Sequence, residues 1–263
     1  MSKFCALFSS SSGNCSYLAS GDTALLVDCG KNCKAILSAM ASRELEPELI
    51  RGIFITHEHS DHISGLRVLA GKLGCPVYAP PPLLEYLERH ADLKPGTRLI
   101  PVEEQGVAVG TCYVHAFHTP HDSIWSVGYQ IHTCDERTVG IATDLGHLSQ
   151  EVMEHITGCD LVMLESNYDK RLLQISSYPY LLKRRIAGPK GHLCNDDCAG
   201  ILPQLVKQRT TRLILAHLSQ ENNSPEVARR TALQALTEEK LEEGLDFTLD
   251  IAQRYEASRV ILI

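Results

Sequence analysis

The stretch THEHSDH, residues 56–62, places three histidines and one aspartate within six positions: His57, His59, Asp61 and His62. It follows the apolar run GIFI, which reads as a buried strand. Side chains alternate in direction along extended backbone, so His57 and His59 can converge on one ion. Asp61 and His62, on the following turn, can reach a second ion. Imidazole and carboxylate suit zinc, manganese or iron. The spacing favours a metal site over a polar loop that is rich in histidine by chance.

The composition indicates a globular protein. The chain has 263 residues, 44% hydrophobic and 22% charged, which is enough for one large domain or two small ones. Its ten cysteines are scattered without a C-x-x-C pair, which predicts reduced thiols rather than a disulfide framework. The first residues carry too short an apolar run for a signal peptide, and no stretch is long enough for a membrane span. We therefore expect a cytoplasmic protein.

The net charge of −7 argues weakly against non-specific binding to nucleic acid, and bound metal would neutralise several of the acidic groups. Two basic runs could contact a phosphate backbone: Lys183, Arg184 and Arg185 form one, and Lys170 and Arg171 form the other. Each run could equally be a solvated surface.

The N-terminal third reads as strands followed by helices. KFCALF, SYLAS and TALLVD are three strands of a β-meander, with SSSSGN as the first turn. Asp28 ends the third strand, where it could cap the helix that follows. Helices are predicted over 63–74, which Gly74 ends, and over 81–93, which a proline opens.

Further along, histidines and acidic residues again follow apolar strands. Two histidines, His118 and His121, lie between strand candidates, and the strand segments 138–146, 160–169 and 211–219 carry Asp144, Glu165 and His217 near their ends. Asp144 could instead be a turn residue before Gly146. Asn195 or Asp196 should cap a helix that Pro203 kinks or restarts, and Ser224 should cap another. Four other histidines, His90, His115, His132 and His147, read as solvated, structural or loop residues.

About a dozen short strands and five helices in mixed order fit two packed sheets with helices outside. H-x-H-x-D-H at 57–62 resembles the signature of the metallo-β-lactamase superfamily. The resemblance implies its fold, an α/β (α+β) four-layer αββα sandwich with the metals in a cleft at the edge of the sheets. We find no linker, and we assign residues 1–263 to a single hydrolase domain.

The resemblance also implies the ligand set. His57, His59 and His121 would hold one divalent ion, Asp61, His62 and His217 would hold the other, and Asp144 would bridge them. Asp28 would orient the histidines without binding a metal ion itself. His121 is preferred to His118 because His-Asp before Val-Gly-Tyr matches the closer relatives. Two such ions share a water and lower its pKa, so a metal-bridging hydroxide would be the nucleophile. Zinc, manganese and iron all suit these ligands.

Within the superfamily, the ligand set is similar to that of the phosphodiesterase branch. Glu165 and the Gly-His pair at 191–192 resemble the glutamate and histidine with which ribonuclease Z protonates the leaving group. On this basis His192 and Glu165 join Asp61 and Asp144 as catalytic candidates. His192 could otherwise belong to a helix cap.

Over nearly the whole chain, SSSGN, THEHSDHISGL, ATDLG, GHL-x-N and LAHLSQENN look like the YycJ (WalJ) subfamily. That implies a 5′-to-3′ exonuclease acting on double-stranded DNA. Cys194 departs from the serine that is usual in the subfamily, so a hydroxyl contact would be missing. Two alternatives remain: a small-molecule phosphodiester or thioester hydrolase, and a non-catalytic metal-binding protein. The oligomeric state cannot be read from the sequence.

Overall fold

Fourteen strands form two mixed sheets of seven strands each in the computed structural model, which describes residues 1–263. The first sheet, in the order β14-β1-β2-β3-β4-β5-β6, contains β1 (Lys3–Phe8), β2 (Cys15–Ser20), β3 (Thr23–Val27), β4 (Ile50–Phe54), β5 (Val77–Ala79), β6 (Leu99–Pro101) and β14 (Ile261–Leu262). The second sheet, in the order β13-β12-β11-β10-β9-β8-β7, contains β7 (Val107–Val109), β8 (Cys112–His118), β9 (Val127–His132), β10 (Thr138–Ala142), β11 (Leu161–Glu165), β12 (Arg212–Ala216) and β13 (Thr248–Ile251).

Nine α-helices cover the two sheets. They are α1 (Cys33–Ala41), α2 (Ser60–Ile63), α3 (Leu66–Leu73), α4 (Pro81–His90), α5 (Gln150–Ile156), α6 (Lys170–Ile175), α7 (Tyr180–Ile186), α8 (Asn195–Lys207) and α9 (Pro225–Glu238), and Pro47–Leu49 forms a 3-10 helix. The five helices predicted from the sequence correspond to α1, α3, α4, α8 and α9. The other four have at most seven residues, which is too short for an apolar period to show. None of the helices has the length and hydropathy that a membrane span requires.

The protein has three apolar layers. The inner faces of the two sheets meet in one cluster, to which Phe54 contributes from the first sheet and Tyr129 and Ile141 from the second. A second cluster joins the first sheet to α1, α3 and α4, and a third joins the second sheet to α5, α8 and α9. Strands β3 and β11 are buried throughout, which is why their sequences are almost continuously apolar. The αββα sandwich predicted from the sequence is confirmed.

Parallel pairing places the polar strand ends together. β3 pairs in parallel with β4 in the first sheet, and β10, β11 and β12 are mutually parallel in the second. The carboxyl ends of parallel neighbours lie at the same edge of a sheet. Those ends are followed by the THEHSDH loop, Asp144 and His217, and Glu165 is the last residue of β11. The two sheets therefore present these groups along one edge of the sandwich.

Two predictions of helix caps are wrong. Asp28 does not cap α1; Asn32 does, because its side chain accepts the Ala35 N–H at 2.9 Å. Neither Asn195 nor Asp196 caps α8. The cap is Cys194, whose Sγ accepts the Asp197 N–H at 3.3 Å.

Three further predictions concern helices α8 and α9. The thiol of Cys194 makes the backbone contact that a serine hydroxyl would make, so the departure from serine leaves the cap in place. Helix α8 continues through Pro203 without restarting. Ser224 caps α9 with Pro225 in its first turn, as predicted.

Backbone contacts hold the THEHSDH loop against the first sheet. The N–H groups of Asn14 and Cys29 donate to the carbonyls of Asp61 and His62, each at 2.8 Å. Gly30 lies so close to this loop that an added Cβ would stand 1.6 Å from the Asp61 carbonyl oxygen. The conformation of the loop therefore depends on a residue without a side chain at position 30.

We expect Gly30→Ala to lower the free energy of unfolding by about 1–3 kcal/mol, because backbone on both sides must move apart. Urea unfolding measures this loss. Gly200→Ala is the matched control, because Gly200 lies in α8 with nothing within 4 Å of the added Cβ, and alanine is favoured in a helix. Equal stability of Gly30→Ala and wild type would contradict the close contact with Asp61.

Candidate metal centre

Three of the strand ends share an unusual backbone conformation. Asp28 after β3, Asp144 after β10 and His217 after β12 have φ values of 62°, 57° and 54°. Aspartate and histidine are among the few residues that adopt this left-handed region without glycine. The chain thus turns sharply as soon as each strand ends, and it leaves a functional side chain at the edge of the sheet.

The first group of possible ligands comprises His57, His59 and His121, whose ligand atoms all lie within 4.8 Å of one another. Nε2 of His57 is 3.1 Å from Nδ1 of His59. Nδ1 of His121 donates to the Gly191 carbonyl at 3.0 Å. That hydrogen bond fixes the tautomer and leaves Nε2 of His121 free to bind an ion.

The second group comprises Asp61, His62 and His217. Oδ2 of Asp61 lies 3.6 Å from Nε2 of each histidine. Nδ1 of His62 lies 2.8 Å from Oδ2 of Asp28, whose other oxygen accepts the Thr56 N–H at 2.9 Å. Asp28 therefore orients His62, as the resemblance implied.

Asp144 lies between the two groups. Its carboxylate oxygens lie 3.3 Å from His62 Nε2, 3.4 Å from His217 Nδ1 and 3.9 Å from His121 Nε2. Two buried atoms here, Oδ2 of Asp144 and Nε2 of His217, have no hydrogen-bond partner. Unpartnered buried polar atoms are rare and costly in folded proteins. Imidazole and carboxylate donors aimed at one space fit a divalent metal ion.

Glu165 joins this centre to His192. Its Oε1 lies 2.8 Å from Nδ1 of His192 and also 2.8 Å from Nδ1 of His217. Its Oε2 accepts the N–H groups of Leu145 and Leu193 at 2.9 and 3.1 Å. The contact with His192 was anticipated. The contact with His217 was not, because nothing in the sequence shows that two histidines share one carboxylate.

Comparison with known proteins identifies the family. The profile of the family described as "Beta-lactamase superfamily domain" matches residues 23–218. The chain belongs to this superfamily.

The superfamily relatives include named enzymes. "Exodeoxyribonuclease YycJ" of Bacillus anthracis is 35% identical over 247 residues, covering 94% of this chain and 93% of the relative. "Exodeoxyribonuclease WalJ" of Streptococcus pneumoniae is 35% identical over 248 residues, covering 93% and 92%. Together with the donor cluster, these relatives identify this superfamily member as a metal-dependent hydrolase.

Solved structures show the same fold. YhfI from Bacillus subtilis, a metallo-β-lactamase fold protein, superposes with a TM-score of 0.73 at 19% identity, over 98% of both chains. The short form of human tRNase Z superposes with a TM-score of 0.66 at 17% identity, over 100% of both chains.

Five histidines outside the superfamily centre make other contacts. The ring of His118 lies on the surface 5.7 Å from that of Trp125, whereas His121 is buried in the cluster. His115 and His132 face each other on β8 and β9. His90 lies against Tyr86, and Nδ1 of His147 lies 3.0 Å from the Pro189 carbonyl.

Two asparagines at the centre were missed by sequence reasoning. Nδ2 of Asn14 lies 2.9 Å from Nε2 of His62, and Nδ2 of Asn167 donates to the His217 carbonyl at 2.7 Å. Both belong to polar stretches, SSSSGN and ESNYD, that read only as turns. A Gly-Asn pair between two strands was the available signal for Asn14.

Burial and neighbouring charges shift the pKa values of the histidines and of Asp144 in the centre. Burial lowers the pKa of His217, but nearby carboxylates, Asp144 foremost, outweigh burial and raise that pKa to about 10. Burial likewise lowers the pKa of His62, and Asp28 and Asp144 raise it well above its usual value. Burial raises the pKa of Asp144, but the imidazoles, led by His217 and His62, hold it well below its usual range.

We expect the affinity for zinc to fall as the pH drops from about 9 to about 6. In chelator-treated protein His217 and His62 carry protons at neutral pH, and a metal ion must displace them. Each displaced proton changes the affinity by up to about tenfold per pH unit. Competition with a chromogenic chelator, corrected for the chelator's own titration, measures the slope. An affinity that stayed constant over this range would contradict protonated histidines in the centre.

Proposed function

We propose that this hydrolase is a two-metal phosphodiesterase that removes nucleotides from double-stranded DNA in the 5′-to-3′ direction, with residues 1–263 acting as one domain. The observation that carries the proposal is the near full-length identity of 35% to two proteins named exodeoxyribonucleases. A cytoplasmic location is part of the proposal, and ten unpaired cysteines support it.

The arrangement of the ligand atoms in two groups favours two bound ions over one. His57, His59 and His121 would hold the first, Asp61, His62 and His217 the second, and Asp144 both. Asp144 is suited to this position because its carboxylate lies beside histidines of both groups: Oδ1 is 3.9 Å from His121 of the first, and Oδ2 and Oδ1 are 3.3 and 3.4 Å from His62 and His217 of the second. When bound, such ions lower the pKa of a coordinated water and stabilise negative charge on a phosphoryl oxygen.

His192 would then protonate the oxygen that leaves. Its Nδ1 is engaged by Glu165, so Nε2 is the nitrogen available to a substrate in the cavity that His192 lines. Burial lowers the pKa of His192, but Glu165 outweighs burial and raises it. The raised pKa favours the protonated imidazole, which can donate its proton to a departing sugar oxygen.

A small-molecule phosphodiesterase is the second candidate. The catalytic cavity, lined by five of the seven ligand residues together with Tyr178, Arg185 and Ser219 among others, has a volume of about 250 Å³. That volume lies just below the range of roughly 300–1,000 Å³ that is typical of ligand pockets, which favours a small substrate. The net charge of −7 also favours a small substrate over a long polyanion.

We expect the metal-loaded protein to release nucleotides from the 5′ end of an end-labelled duplex. Asp144→Asn should lose most of this activity, by about 10²-fold or more, because a neutral amide holds two cations poorly. Elemental analysis and circular dichroism show whether that variant keeps its metal and its fold. Hydrolysis of bis-p-nitrophenyl phosphate without cleavage of DNA would instead identify a small-molecule enzyme. Inactivity on both substrates at full metal loading would identify a metal-binding protein without catalysis.

We expect His192→Ala to lose activity on DNA by roughly 10²–10⁴-fold and to lose little on bis-p-nitrophenyl phosphate. A sugar alkoxide needs a proton in order to leave, whereas nitrophenolate does not. His118→Ala is the matched control, since His118 lies on the surface outside the cluster. His192 also lies within ligand distance of Asp144 and His217. An equal loss on both substrates, together with a lower metal content, would make His192 a ligand instead of an acid.

A further inference from the structure

A second cavity, larger than the catalytic one, lies on the other side of helix α7. It has a volume of about 760 Å³ and is lined by tyrosines and basic residues, among them Tyr168, Tyr178, Tyr180, Lys170, Lys183 and Arg184. Cavities of roughly 300–1,000 Å³ are typical of sites for small organic ligands. The proposed hydrolysis makes no use of this space.

Helix α7 is the wall between the two cavities. Leu182, Arg185 and Ile186 line the catalytic cavity. The residues at 180, 183, 184 and 187 line the second cavity, and their spacing of three, four and seven places them on one face of the helix. Tyr178 lines both cavities. A helix with its side chains is about 10 Å wide, a distance that a few linked nucleotides can span.

Most of the basic residues near α7 are already engaged by the protein. Lys170 pairs with Asp197 at 3.2 Å, and Nζ of Lys183 donates to the carbonyls of Gln174 and Ser176, each at 2.7 Å. Arg185 pairs with Asp122 on the catalytic side. Arg184 is different, because it is exposed and has no carboxylate within 4 Å.

Arg184 is combined with an exposed aromatic ring. Its guanidinium carbon lies 5.9 Å from the centroid of the Tyr180 ring, and Tyr180 is 72% exposed. The only carboxylate that lines the cavity, Asp197, is held by Lys170. The cavity therefore offers a flat aromatic surface beside an uncompensated positive charge. Proteins bind single-stranded nucleic acid with this combination, a ring for the base and a cation for the phosphate.

We propose that the second cavity binds an unpaired nucleotide of the substrate strand, with its base on Tyr180 and its phosphate at Arg184, a few nucleotides from the bond that is cleaved. The identity of the substrate rests on the proposed nuclease function. A base inside a duplex is stacked on both faces, so a nucleotide a few positions from the cleaved bond can place its base on Tyr180 only if the end of the duplex opens. Unpaired ends should therefore bind better than blunt ends.

Binding can be measured by fluorescence anisotropy with metal-loaded protein and phosphorothioate-linked duplexes that resist cleavage. We expect a duplex with a short single-stranded end to bind more tightly than a blunt one. Arg184→Ala and Tyr180→Leu should each weaken its binding by about tenfold. Tyr180→Phe should bind better than Tyr180→Leu, because it keeps the ring. Arg230→Ala is the matched control, because Arg230 is also an exposed helical arginine without an ion pair, and it lies on α9.

The salt dependence separates the two contacts. Arg184→Ala should reduce the slope of log Kd against log salt by about 0.7, the value for one phosphate contact on a single strand. Tyr180→Leu should leave that slope unchanged and should remove the preference for the unpaired end. Circular dichroism and urea unfolding check that each variant is folded.

Three outcomes would overturn the proposal. If Arg184→Ala and Tyr180→Leu bound DNA as Arg230→Ala does while wild type still degraded DNA, the second cavity would not be the site, and the nuclease function would stand. If the preference for unpaired ends survived in Tyr180→Leu, stacking on Tyr180 would be wrong. If wild type neither bound nor cut DNA but hydrolysed bis-p-nitrophenyl phosphate, the proposed nuclease function would fail and this proposal would fail with it.

Discussion

The buried carboxylate of Asp144 is the constraint on which the centre depends. Its side chain is 3% exposed, and an anion so far from water must be balanced by positive charge or the fold is destabilised. The imidazoles of His62, His121 and His217 lie within 3.9 Å of it. In chelator-treated protein, protons on His62 and His217, whose pKa values are raised, supply the balance, and divalent ions would supply it more completely. Folding and metal binding therefore favour the same arrangement of side chains.

The sandwich fold brings those groups together because the chain turns sharply where β3, β10 and β12 end. A left-handed residue after a strand costs about 1–2 kcal/mol, and Asp28, Asp144 and His217 all adopt this conformation. Hydrogen bonds from Thr56 and His62 hold Asp28 in place, and Glu165 engages His217. Such strain persists only where the surrounding contacts determine the conformation. The packed sheets provide those contacts, since the strands that lead into the turns are almost wholly buried.

The candidate ligands could be predicted from the sequence because they depend only on residue type and on position after a strand. A histidine or aspartate after an apolar strand marks a candidate ligand without knowledge of tertiary contacts, and all seven candidates lie in one cluster. The interactions that sequence reasoning missed depend on contacts between residues that are far apart in the chain. Asn14 meets His62 across 48 positions, and Glu165 meets His217 across 52. The cap at Cys194 was missed because a thiol is a weak acceptor and is rarely read as a cap. Helices α5 to α7 were missed because each is shorter than two full turns.

If the proposed function holds, helix α7 would explain how an acidic protein binds a polyanion. With a net charge of −7, the chain has no overall field that attracts DNA, and at physiological salt exposed charges act over only about 8 Å. Recognition must then come from short-range contacts at the centre itself. The structure concentrates such contacts around α7, where Arg185 is anchored by Asp122 on one face and Arg184 is free beside Tyr180 on the other. Under the proposed nuclease function, a substrate held in this way would be recognised by its end, because only an end would reach the metal ligands and the exposed ring together.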